Sequence, residues 1–172
     1  MILKPLSLIL VLLILPATLL TGLNRPARAE TVGSVTGLPI PRYVTLQAEE
    51  VNVRTGPGVR YPVDWVFVRE NMPVEIVSEF ENWRKIRDFE GTEGWVHQSM
   101  LSGRRSVLVI GRNRTLRRES ADSAPAVAHL EPGVIAWLES CAREWCEINV
   151  SGLSGWVHRS AIWGVRVDEA LR

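Results

Sequence analysis

Tyr43–Arg54 reads YVTLQAEEVNVR, and Ser106–Arg117 reads SVLVIGRNRTLR. The two stretches lie over one another at one constant offset, without a gap. The same offset places Pro125 on Pro62. Further along, Trp145 falls on Trp83, and Gly155-Trp156-Val157-His158 falls on Gly94-Trp95-Val96-His97, after short insertions and deletions. A duplicated unit of about 60 residues is a statement about fold before it is one about function, because each copy is one small structural plan. Two such units predict domains at 43–105 and 106–167, with a tail at 168–172. Neither is large enough to enclose an elaborate catalytic site.

Within one copy the pattern is all-β. Tyr43–Gln47 and Val51–Arg54 are short strand-like runs around Glu49-Glu50. The loop Thr55-Gly56-Pro57-Gly58-Val59-Arg60-Tyr61-Pro62 excludes regular structure through its glycines and prolines. Val63–Arg69 is rich in β-branched and aromatic residues. Val74–Phe80 and Trp83–Phe89 then read as a hairpin closed at Glu81-Asn82, and Gly94–His97 as a further short strand. Gln98–Leu101 reads as a single helical turn. No window sustains apolar residues at i, i+3, i+4 and i+7, so helices should be few. The fold expected is two tandem small barrels of about five short strands each.

These residues resemble a known family, the bacterial SH3-like (SH3b-type) domains of exported proteins. The resemblance is carried by Val51-Asn52-Val53-Arg54-Thr55-Gly56-Pro57-Gly58, then Tyr61-Pro62, Trp83 with Lys85-Ile86, and Gly94-Trp95-Val96. It covers 43–104 closely and 106–165 more loosely. The second copy departs in its loop, Arg117–Pro125, which has no glycine and no tyrosine before the proline. The resemblance implies SH3-like barrels that recognise peptides or cell-wall components.

The ends have a different character. Lys4, the apolar run Leu6–Leu20 and the small-x-small triplet Ala27-Arg28-Ala29 form the pattern of a secretory signal peptide at 1–29. An uncleaved anchor is the competing reading, although Pro16, Thr18 and Thr21 interrupt a run already short for a span. Residues 30–42 read as a flexible leader. Removal of 1–29 takes away Lys4, Arg25 and Arg28 and no acid, so the formal charge of +1 becomes slightly negative. A near-neutral exported protein has no bulk charge reason to seek nucleic acid or an anionic membrane. The expected location is periplasmic or extracellular, with membrane contact only through the signal segment before cleavage.

Cys141 and Cys146 both fall in the second copy. In a hairpin turning at Ala142–Glu144 they face one another within disulfide range, as a staple for a small domain. Free thiols are the competing reading. A redox pair would usually be C-x-x-C, and a zinc site needs more ligands than the neighbourhood offers.

Seven tryptophans could be core or contact residues. If Ile86 and Ile148 point inward, Trp83 and Trp145 point outward. Trp83, Trp145, Tyr61 at the end of the Gly-Pro loop and Arg54 are therefore the ligand-binding candidates. Arg54 and its equivalent Arg117 also suit hydrogen bonding to loop carbonyls. Arg104, Arg105, Arg112, Arg114, Arg117 and Arg118 crowd the junction and form a candidate anion patch. His97 and His158 are repeat-equivalent, which favours a strand-end role. No G-x-S-x-G or H-E-x-x-H occurs, and no catalytic residue, metal or cofactor is expected. The reading is an exported, non-enzymatic binding module of the cell envelope. Its ligand would be a peptide, a peptidoglycan fragment or an envelope protein. The alternative is an interaction scaffold of tightly packed barrels without a small ligand. Oligomeric state is open.

Overall fold

The computed structural model describes residues 31–171, and the expected signal segment at 1–29 lies outside the described residues. β1 (Thr31–Val32) and β2 (Pro39–Ile40) form a short antiparallel ribbon. The first repeat contributes β3 (Arg42–Leu46), β4 (Val51–Arg54), β5 (Val63–Phe67), β6 (Pro73–Phe80), β7 (Trp83–Arg87), β8 (Glu93–His97) and β9 (Leu101–Ser102). The second contributes β10 (Ser106–Val109), β11 (Arg114–Arg117), β12 (Ala126–Leu130), β13 (Ile135–Ala142), β14 (Trp145–Val150), β15 (Leu153–His158) and β16 (Ile162–Trp163). Single 3-10 turns, Gln98–Met100 and Arg159–Ala161, precede β9 and β16.

Both sheets are antiparallel and have the same strand order. It runs β5-β4-β8-β7-β6-β3-β9 in the first and β12-β11-β15-β14-β13-β10-β16 in the second. The all-β tandem fold is as expected, with seven strands per sheet rather than about five. The additional short strands, β9 and β16, follow the 3-10 turns and return to pair with β3 and β10. Even the irregularities repeat. Register shifts fall at Val53/Arg54 and Leu116/Arg117, and again between Ile76/Ser78 and Leu138/Ser140.

Alternation along the strands sets each core. Val51, Val53, Val74, Ile76, Ile86 and Val96 point inward in the first unit; Val107, Val109, Leu116, Leu130, Ile148 and Val157 do so in the second. The Gly-Trp-Val segments have a steric reason. A Cβ on Gly94 would lie 2.3 Å from Val53 Cγ1, and one on Gly155 would lie 2.7 Å from both Leu116 Cγ and the Arg117 carbonyl oxygen. Glycine lets β8 and β15 cross closely over β4 and β11.

The two units are not independent beads. All four residues of β10 are buried, because the strand is covered on both faces. Val107 and Val109 enter their own core, whereas Leu108 enters the core of the first repeat. Beside it, Thr45 and Ser106 join by a buried hydroxyl–hydroxyl hydrogen bond of 2.8 Å, and the Ser106 N–H donates to Thr45 Oγ1 at 3.0 Å. Tyr43 meets Trp163 edge to face at 5.0 Å across the same seam, and burial pushes the Tyr43 hydroxyl up to about 12.

In the stretch 30–42, expected to be a flexible leader, the described residues from Thr31 onward carry more structure than their composition predicts. Their ribbon is held by one carboxylate on β6. Glu79 Oε2 accepts the N–H groups of Val35 (3.0 Å) and Thr36 (2.9 Å); Oε1 accepts the Thr36 hydroxyl and the Arg42 guanidinium, each at 2.7 Å. A long-range acceptor supplies the order that local pattern lacks. The C-terminal tail is likewise tied, through a backbone bridge from Leu171 to Cys141 and an ion pair from Glu169 to Arg105.

Candidate functional site

Cross-strand pairing places two aromatic–imidazole pairs on the outward faces of the sheets. Trp83 is opposite His97 in the β7–β8 register, with ring centroids 5.5 Å apart and an edge-on arrangement. Trp145 is opposite His158 in the β14–β15 register, with centroids 3.8 Å apart and the rings tilted by 32°. Ile86 and Ile148 are fully buried, so both tryptophans face outward as the alternation required. The two outward tryptophans therefore occupy equivalent places.

Beside each pair lies a groove. The first, of about 530 Å³, runs between the Gly-Pro loop and the β6–β7 turn, with Pro57, Arg60, Glu81, Asn82, Trp83 and His97 among its walls. His97 is fixed there, because its Nδ1 accepts the Ser99 N–H at 3.3 Å and lies 2.7 Å from the Ser99 hydroxyl. That bond caps the 3-10 turn after β8, a role His158 does not share. The second groove, of about 410 Å³, is lined by Arg112, Arg114, Arg117, Asp122, Trp145 and His158 among others. Here the histidine turns to a different partner, with Nε2 lying 3.1 Å from Asp122 Oδ1.

The remaining candidates divide. Tyr61 does not line the first groove. Its ring lies over Gly56, where a Cβ would fall 2.4 Å from the Tyr61 Cδ1, with the Arg60 guanidinium 5.4 Å from the ring centre. Arg54 Nη1 donates to the carbonyls of Tyr61 (2.7 Å) and Val59 (3.2 Å), bracing the loop that forms the groove wall. Arg117 does the same for the second loop through the Ala124 carbonyl at 2.8 Å. Trp95 and Trp156 are half-buried on the outward faces of their strands, opposite Lys85 and Glu147.

The arginine crowd at the junction is not one patch. Arg104 stacks over Trp137 at 3.6 Å, and Arg105 is bound to Glu169 and the Gly164 carbonyl. Arg112, Arg114 and Arg117 share the second groove. Among the described residues, no group of three or more His, Cys, Asp or Glu side chains could hold a metal ion.

Sequence reasoning passed over Glu79, a buried carboxylate lowered to about 2. Burial alone would raise it, and the bonds from Thr36, Arg42 and Val35 outweigh that effect. The repeat alignment held the signal, since Glu79 and Arg84 occupy the register positions of Cys141 and Cys146. The expected disulfide is present between those two cysteines, at the end of β13 and the start of β14.

Among solved structures, the chain is similar to NlpC1 from Trichomonas vaginalis at 11% identity and a TM-score of 0.35. The alignment covers 81% of this chain and 52% of that one. NlpC2 from the same organism aligns at 11% identity and a TM-score of 0.33, over 72% of this chain and 48% of that one. The chain thus spans about half the length of these structures. No curated protein matches its sequence. The sequence pattern described as the bacterial SH3 domain matches twice, at residues 47–103 and 112–164, which together make up more than half of the chain. Each match falls on one of the two sheets, with only β3 and β10 lying before it, and the chain belongs to the bacterial SH3 domain family.

Proposed function

We propose that this protein is an exported, non-catalytic binding module of the cell envelope. Its first groove would receive a peptide or a peptidoglycan fragment. One observation carries the reading: an outward Trp83 held against His97, in a groove whose opposite wall is a loop braced by Arg54. An aromatic face fixed by its neighbours offers contact area at little entropic cost. Arg54 and Tyr61 serve this site by shaping the loop, and Trp83 makes the contact. Binding rather than turnover is proposed because both repeats match the bacterial SH3 domain, and because His97 Nδ1, beside the Ser99 hydroxyl, is also tied to the Ser99 N–H.

The test is co-sedimentation of the purified protein with peptidoglycan sacculi. Retention of the wild type, lost in Trp83→Ala with its fold intact, supports the reading. Failure of the wild type to sediment overturns it.

The packing at the seam favours a second reading, a rigid scaffold that joins an envelope protein. The buried Thr45–Ser106 bond and the insertion of Leu108 into the first core hold the barrels in one orientation. Capture of an envelope protein that persists in Trp83→Ala would select this alternative.

A further inference from the structure

The second groove is not a degenerate copy of the first. In the repeat alignment, Glu49-Glu50-Val51 of the first unit is replaced by Arg112-Asn113-Arg114 in the second. The replacement inverts the charge at the same corner of the fold, and both new arginines face the groove beside Trp145. Arg117, common to both copies in its role as loop brace, becomes the third cation there.

These cations are positioned but not consumed. Arg114 donates from Nε and Nη2 to one carbonyl, that of Ile110, at 3.3 Å each. Arg117 spends Nη1 on Ala124. A guanidinium carries five N–H donors, so both keep donors in reserve. Arg112 has no hydrogen bond or ion pair among the described residues. The same lining holds one carboxylate, Asp122, which is 80% exposed and meets His158. Trp145 adds an apolar face, half-buried against the imidazole.

We propose that this groove is a separate binding site for an acidic peptide segment, which extends the protein's recognition beyond the first groove. The ligand carboxylate would lie on the arginines, whose fork geometry suits it. A backbone N–H of the ligand would donate to Asp122, and an adjoining side chain would cover the Trp145 ring. Asp122 is the reason for choosing a peptide over a phosphate polymer. A carboxylate in the same small groove repels a multiply charged anion more strongly than a single carboxylate, and it can accept a hydrogen bond, which a peptide N–H offers.

The experiment is an NMR titration of the isotope-labelled protein, followed at the indole N–H of Trp145. The probes are the capped tripeptide Ac-Ala-Glu-Ala-NH2, its neutral twin Ac-Ala-Gln-Ala-NH2, and inorganic phosphate. The proposal expects a saturable shift of Trp145 with the glutamate peptide and binding about tenfold weaker or less for the glutamine twin. Arg112→Glu, at an exposed position that should not disturb folding, should weaken the glutamate peptide by at least about tenfold. Trp83→Ala should leave that affinity unchanged, which separates this site from the first groove. Equal binding of both peptides overturns the proposal. So does phosphate binding as tightly as the glutamate peptide, or a response confined to Trp83.

Discussion

Glu79 and Cys141 occupy the same position in the two barrels. Glu79 faces Arg84 across the β6–β7 hairpin, and Cys141 faces Cys146 across β13–β14, in matching register. All four side chains are buried. One copy closes this hairpin with a covalent bond, and the other with a carboxylate that also reaches Arg84 at 3.7 Å. Each closure then receives a flanking segment: the ribbon before β3 on Glu79, and Leu171 on Cys141.

The Glu79 arrangement has a pH signature. Its folded value of about 2 lies below the ordinary 4.5. The carboxylate therefore stabilises the fold fully above about pH 4.5, and that contribution is lost as pH falls from there through 2. Glu79→Gln should lower stability at pH 7 by about 3 kcal/mol. The difference from wild type should vanish near pH 2. Urea denaturation at several pH values checks this, and parallel pH profiles for the two proteins would contradict it.

Gly33 lies against the same carboxylate, where a Cβ would fall 2.4 Å from the Glu79 carboxyl carbon. Gly33→Ala should displace the ribbon without unfolding the barrel. Amide exchange of Val35 and Thr36 should accelerate by at least about tenfold while that of Val53 and Ile86 stays slow, since local opening needs less energy than global unfolding. Unchanged exchange at Val35 would refute the hold of Glu79 on the ribbon.

The disulfide closes a short loop, its cysteines five positions apart. Chain entropy gives such a loop about 2 kcal/mol. The double variant Cys141→Ser, Cys146→Ser should lose at least that amount, because it also buries two hydroxyls where sulfur sat. Reduction of the wild type should lower its Tm, and equal Tm values with and without reductant would oppose the prediction.

Leu108 belongs to the second repeat by sequence and to the first core by packing. Leu108→Ala should cost about 2–5 kcal/mol through the cavity it leaves. The decisive readout is where the loss appears. Amide exchange should accelerate at Val53 and Ile86, in the repeat that carries no substitution. A loss confined to the second barrel would count against the shared core.

The sequence was most legible where local pattern and packing agree. Gly-Trp-Val-His recurs because Gly94 and Gly155 permit a close strand crossing, and Ile86 and Ile148 point inward by simple alternation. The cysteine pair was readable because two residues flanking a tight turn must meet. What escaped depends on partners far along the chain. Nothing near Thr31–Ile40 announces that a carboxylate more than 40 residues away will order it. The apolar run Val107–Ile110 was read only as part of the repeat, because the second face that covers β10 lies in the other repeat. The grooves were half legible. Trp83 and Trp145 followed from strand parity, whereas His158 meeting Asp122, and Tyr61 turning to Gly56 rather than the groove, are set by loop conformation.

The two-faced strand β10 separates the unit of duplication from the unit of folding. A gene fragment cut between Arg105 and Ser106 would respect the ancestry of the chain and still leave the first barrel missing a piece of its interior. The side chain that plugs it is Leu108, and the loss of Ser106 with it would also strand the Thr45 hydroxyl. Copying a small domain thus produced a pair that can no longer be divided along the line of the copy. In such a protein, recombination or domain grafting succeeds only if both repeats travel together.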